Sequence, residues 1–358
     1  MVSETAVTAG GHGATSAREI GRSLNVRYVL EGDALYGSEG NTVNLRLVDT
    51  GTGGQVWSER ATLQNSDVAA EASVSLHNLS DRLRIALVGA EIRRVVALPL
   101  SALGARELVL RAFAISDKDQ SLAGTIRARE LIDEALRRDP NLEPALVARA
   151  WVADFENGVD PHPDHDRFGR EMDEFTSRAI SLDPSDPTAW KWRAAALISL
   201  GRWDAALEAN AMAIKLDPDD PNHYVGRAWL MNLTGRPDEA LTLIDRALAM
   251  HPNNIGWTLR TACEAHLLSG QAEEAIATCE KAMGTNPYWY IHLFLAAAYA
   301  NHGDVSKAAA TAAYVLRTVP NYTISQMRAK PYSDNPEYIK LADKFLYTGL
   351  RTAGIPDN

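Results

Sequence analysis

Cysteine is scarce. Cys263 and Cys279 are the two in 358 residues, too few for a disulfide framework. No apolar run reaches the roughly 18 residues that a bilayer-spanning helix needs, so no membrane segment is expected. The opening MVSETAVTAGGHGATSAREIG lacks both a basic n-region and an apolar h-region and does not read as a signal peptide. The expected location is cytoplasmic. Positive charge is also short, with 36 Lys and Arg against 46 Asp and Glu for a net charge of −10. That disfavours a nucleic-acid partner, which requires a basic footprint to displace counterions. Walker-type phosphate loops and nucleophile elbows are missing as well, and GTGG at 51–54 reads as a hairpin turn. The chain is therefore expected to be no enzyme and to carry no cofactor or metal.

What is present is a repeat. PTAWKWRAAALISLGRWDAALEANAMAIKLDPDD (187–220) and PNHYVGRAWLMNLTGRPDEALTLIDRALAMHPNN (221–254) superpose 34 residues apart, Gly201 on Gly235, Ala206 on Ala240 and Pro218 on Pro252. The series continues through Gly270 and Gly303, Ala275 and Ala308, Pro287 and Pro320, at spacings of 34, 35 and 33. A glycine releases the first helix (A) of each pair into a tight turn. The alanines let it lie close to the second (B), and Asp-Pro or Asn-Pro stops B. Six pairs are expected over 104–320, the second lengthened by GVDPHPDHDRF (158–168). This period and punctuation resemble the tetratricopeptide (TPR) repeat, with Trp190 and Tyr224 at its first aromatic position. The resemblance implies an α-α superhelix whose concave groove binds a protein or peptide. One pair cannot bury its own apolar face, so the pairs must stack.

Ahead of the repeats, residues 1–15 read as a flexible lead. SAREIGRSLN (16–25) is a short helix with Ser16 as N-cap. VRYVLEGDALY (26–36), TVNLRLVDT (42–50) and QVWSERATL (55–63) read as strands joined by Gly-rich turns, an antiparallel meander. A long helix over 66–96, with Ser66 as N-cap, offers an apolar face to that sheet. Arg27-Tyr28-Val29-Leu30-Glu31-Gly32, Leu47-Val48-Asp49, Thr50-Gly51-Thr52-Gly53 and Trp57-Ser58-Glu59-Arg60 resemble the later part of the small α/β domain at the amino terminus of TolB. That module stands behind class III adenylate cyclase catalytic domains and winged-helix regulators, and TPR repeats commonly follow it. The family domain opens with a further strand and helix for which this sequence has no counterpart. A shortened module or a fragment of a longer ancestor is therefore expected, spanning 16–97.

At the other end (321–358), Asn335 and Pro336 start a helix whose stripe Tyr338, Leu341, Ala342, Phe345 and Leu346 can cover the last pair. This ending resembles those of cyclase-linked TPR proteins and reads as complete.

Helix A positions offset from the packing ones place Lys191, Trp229, Asn232, Trp257, Arg260, Glu264 and Tyr290 on or near the groove. Aromatics with an arginine among them are the residue types that anchor an interface. The alternative for each is packing against the neighbouring pair. Trp190 sits at the packing position and is expected in the core.

Asp160, His162, Asp164, His165 and Asp166 carry metal-ligand types, but neighbours on one short loop rarely close a site, and a solvated loop is expected. Cys263 and Cys279 are expected as two reduced thiols filling one helix interface. The sequence thus reads as a mainly α, non-enzymatic interaction scaffold of bacterial signalling. The alternative is the accessory part of an adenylate cyclase whose catalytic domain lies outside the chain. Self-association through the module's open sheet edge is a third reading.

Overall fold

The computed structural model describes residues 16–37, 40–63, 68–119, 121–159, 164–252, 256–285, 289–329 and 333–358. The chain divides into two compact units, Met1–Leu103 and Gly104–Asn358.

In the first unit, α1 (Ala17–Leu24) opens with a reciprocal capping box between Ser16 and Glu19, which satisfies orphan N–H groups of its first turn. Strands β1 (Tyr28–Gly37), β2 (Gly40–Asp49) and β3 (Gln55–Leu63) form an antiparallel sheet in the order β1-β2-β3. Tyr28 pairs with Asp49 and Asn41 with Leu63, with an irregularity at Leu47/Val48. Asp49 Oδ1 holds the second turn by accepting from the backbone N–H of Gly51 and Thr52, at 2.8 and 3.2 Å. α2 (Val68–Ala97) packs on β3. Near its end Glu91 accepts from the Tyr28 hydroxyl at 2.7 Å and pairs with Arg94 and Arg27. Burial and that carboxylate push the Tyr28 phenol up to about 12. Ser66, the expected N-cap of this helix, lies outside the described residues.

The second unit is the array of six helical pairs. They are α3 (Ala105–Lys118) with α4 (Leu122–Arg138), α5 (Glu143–Val159) with α6 (His165–Leu182), and α7 (Pro187–Ser199) with α8 (Trp203–Leu216). Then come α9 (Pro221–Leu233) with α10 (Pro237–Met250), α11 (Gly256–Leu268) with α12 (Ala272–Thr285), and α13 (Ile291–His302) with α14 (Val305–Thr318). Gly201, Gly235, Gly270 and Gly303 all adopt positive φ, as their release role requires. Ala206, Ala240, Ala275 and Ala308 are fully buried where A meets B. The prolines do a second job. Trp190 Nε1 donates to the Pro184 carbonyl at 3.0 Å, and the Tyr224 hydroxyl donates to the Pro218 carbonyl at 2.9 Å. The aromatic of one pair thus satisfies the carbonyl left open where the previous B helix stops. Trp190 is accordingly packed against the core but only half-buried, with its polar edge at the junction.

Successive A helices touch one another, whereas successive B helices make at most marginal contact among the described residues. The stack therefore curves with the A helices on its inner face. Among the described residues no helix is long and apolar enough to cross a membrane.

Two features differ from expectation. Cys263 on α11 and Cys279 on α12 are joined in a disulfide, with Cα atoms 4.9 Å apart. The expectation of reduced thiols rested on compartment, but the A–B register brings both buried side chains into bonding range.

The C-terminal segment also reaches further than the last pair. α15 (Ile324–Ala329) is followed by α16 (Pro336–Leu341) and α17 (Thr348–Ala353), continuous through a π-helical stretch at Ala342–Tyr347. Ser333 Oγ donates to the Leu233 carbonyl, and Trp203 Nε1 donates to Asp334, so the segment reaches the A-to-B turns of the third and fourth pairs. Asn301 Nδ2 donates to the Phe345 carbonyl within the π stretch. Tyr338, Ala342 and Leu346 of the expected stripe are fully buried, and Leu341 and Phe345 partly.

Candidate functional site on the inner face

Arg260, on α11, sits between two aromatic rings. Its guanidinium carbon lies 5.5 Å from the ring centre of Trp229 (α9) and 5.7 Å from that of Tyr290, the residue before α13. Three successive A helices therefore meet at one cation. An arginine over aromatic faces is held by the ring quadrupole as well as by packing.

Glu264, one helical turn beyond Arg260, is only 3% exposed. Burial pushes its carboxyl up to about 7, against the pull of Arg260 and of the Asn232 amide. Asn232 is itself fully buried and donates to the Thr261 carbonyl at 3.0 Å and to Glu264 at 3.5 Å. Lys191 on α7 lies over the Trp192 ring at 4.5 Å, and burial holds its ammonium below its ordinary range. Trp257 packs against Tyr224 and Val225. Of the seven residues singled out in the sequence, Trp229, Arg260, Glu264, Asn232 and Tyr290 thus converge. Lys191 and Trp257 stand to one side, and Asn232 and Glu264 are turned into the helix interface.

One residue of the cluster was missed. Asp154, on α5, has a carboxyl pushed up to about 6 by burial, with Arg260 and Lys191 opposing. Its side chain is partly buried, and the desolvation of its surroundings outweighs the attraction of the two cations. The signal was in the register. Asp154 follows Asp139 by as many residues as Asn232 follows Asp217, so both occupy one repeat position. The insertion after α5 hid this by breaking the 34-residue spacing.

The His/Asp loop gives less. Residues 160–163, with Asp160 and His162, lie outside the described residues. Asp164 caps α6 by accepting from Arg167 N at 3.0 Å, and His165 Nδ1 meets Asn157 Oδ1 at 2.8 Å.

Residues 174–221 and 233–288 each match a family model described as tetratricopeptide repeat. The Cut9-Hcn1 hetero-tetramer of the APC/C is 16% identical with a TM-score of 0.53, covering 75% of this chain and 49% of that one. A human IFIT1 dimer with PPP-AAAA is 17% identical with a TM-score of 0.52, covering 70% and 57%. At these identities the likeness shows the fold alone: the helical unit is a TPR-like α-α superhelix. A protein of Rhizobium meliloti (strain 1021) named "Putative adenylate cyclase 3" is 28% identical over 197 residues, which are 54% of this chain and 32% of that protein. The match spans about a third of the length of that relative.

Proposed function

We propose that this chain is a non-enzymatic interaction scaffold of bacterial signalling that holds a peptide or protein segment along the inner face of its array. Tetratricopeptide stacks present extended concave surfaces of this kind. The reading rests on Arg260 held between Trp229 and Tyr290, with Asp154 and Glu264 facing it in a desolvated setting. Desolvated aromatic and arginine anchors carry most of the energy of an interface. Lys191, Trp257 and Asn232 flank that centre. The test compares capture of one identified partner by the wild-type chain and by Trp229→Ala/Arg260→Ala, with folding checked by circular dichroism. Affinity should fall by about 2 kcal/mol or more. Unchanged affinity in a folded double variant would remove the groove from the account.

The second reading, an accessory part of an adenylate cyclase, is favoured by the relative from Rhizobium meliloti. The coding sequence directly upstream discriminates: a cyclase domain in frame supports it, an unrelated gene counts against it. Both readings place the chain in the cytoplasm. The Cys263–Cys279 bridge stands against that location, because cytosolic thiols are kept reduced.

A further inference from the structure

The junction between α8 and α9 holds a group that the groove leaves unused. Asp217 is the C-cap of α8, Asp220 is the N-cap of α9, and His223 is the third residue of α9. One ligand atom from each lies within 4.8 Å of the others. Asp220 commits Oδ1 to the backbone N–H and side-chain amide of Asn222, at 2.9 and 2.8 Å. Its Oδ2 is left 3.9 Å from His223 Nε2. His223 is 1% exposed, and among the described residues neither ring nitrogen has a hydrogen-bond partner. A buried imidazole with both nitrogens unmet is an anomaly in a folded protein. The repeat makes it more so. In the preceding pair the corresponding residues are Asp183, Asp186 and Ala189, so the two aspartates recur but the histidine replaces a fully buried alanine.

We propose that Asp217, Asp220 and His223 bind one divalent transition-metal ion of the zinc class. Two carboxylate oxygens and one imidazole nitrogen come from the protein, and water completes the sphere. This donor set suits zinc and its neighbours better than calcium or magnesium, which favour all-oxygen sites. An imidazole is largely neutral at neutral pH, so its lone pair is available to a metal ion. Lys191 faces the same aspartate and histidine from α7, and Asp186 adds a further negative charge nearby. The ammonium opposes a second cation, and the carboxylates of Asp217, Asp220 and Asp186 offset it. A bound ion would clamp the end of the third pair to the start of the fourth. The inference does not rest on the groove reading, although Lys191 neighbours both places.

The experiment is equilibrium dialysis of the intact, metal-stripped chain against zinc, followed by cobalt for its visible ligand-field bands. One equivalent should bind at neutral pH. His223→Ala restores the residue of the preceding pair and is expected to fold. It should weaken binding about tenfold or more. Asp217→Asn should do likewise and serves as a second variant, while His162→Ala should bind like the wild type. Zinc should raise the melting temperature of the wild type but not of His223→Ala. Absence of saturable binding, equal binding by His223→Ala, or loss of the site in His162→Ala would each overturn the proposal.

Discussion

A carboxyl group beside an arginine is held charged or neutral according to whether attraction or desolvation wins. At Glu264 desolvation wins, and the group titrates near 7 instead of near 4.5. Between those two values the folded chain keeps a proton that the unfolded chain has lost, so this group's contribution to stability declines as pH rises through the window. Below about 4.5 both states are protonated and the effect vanishes. Glu264→Gln should therefore match the wild type in urea unfolding at acidic pH. It should exceed it by up to roughly 3 kcal/mol above neutrality. A difference independent of pH would show that folding leaves the Glu264 carboxyl unshifted. Glu264 and Asn232 were legible as candidates from helix A spacing, but their burial was not. Spacing assigns a residue to a face, and only the neighbouring helix decides whether that face is covered.

At the scale of elements, the C-terminal segment and the A-to-B turns hold each other. Gly235 has φ of +75°, and a methyl group there would lie 2.7 Å from the Glu337 carbonyl carbon and 2.9 Å from the Tyr338 nitrogen. Gly303 has a comparable φ of +93°, and a methyl group there would meet no described residue within 4 Å. The two separate backbone strain from packing. Gly303→Ala should cost about 1–2 kcal/mol, the left-handed penalty alone. Gly235→Ala should cost about 1–3 kcal/mol more, because α16 must shift. Chemical denaturation of the two variants measures the difference, and equal losses would mean that the segment does not bear on the turn. The glycines were readable from the sequence by their period. The path of the segment back to the third pair was not, because an amphipathic stripe specifies that it packs but not on which neighbour.

For the molecule as a whole, the bridge between α11 and α12 bears on both stability and location. Cys263 and Cys279 are 16 residues apart and fully buried. The non-reduced protein should show no titratable thiol, and two after reduction and unfolding. Reduction should lower the unfolding free energy by about 3 kcal/mol, the order expected for closing a loop of this length. Rapid alkylation in cells tests the compartment. Two alkylated cysteines would restore the expectation of reduced thiols, and none would place the chain in an oxidising setting.

The sequence by itself determined the array. Glycine, alanine and proline recur at fixed intervals because each meets a local demand of a helical pair: a left-handed turn, a close helix contact and a helix stop. The meander was likewise written in period-two alternation and Gly-rich turns. Tertiary structure alone decided what happens between pairs. The desolvation of Asp154 and Glu264, the meeting of Arg260 with two rings from neighbouring helices, the cysteine bridge and the unmet imidazole of His223 all depend on how one helix lies against the next. Desolvation and approach distance are properties of that arrangement. A repeat period fixes which residues are equivalent, but it carries neither quantity.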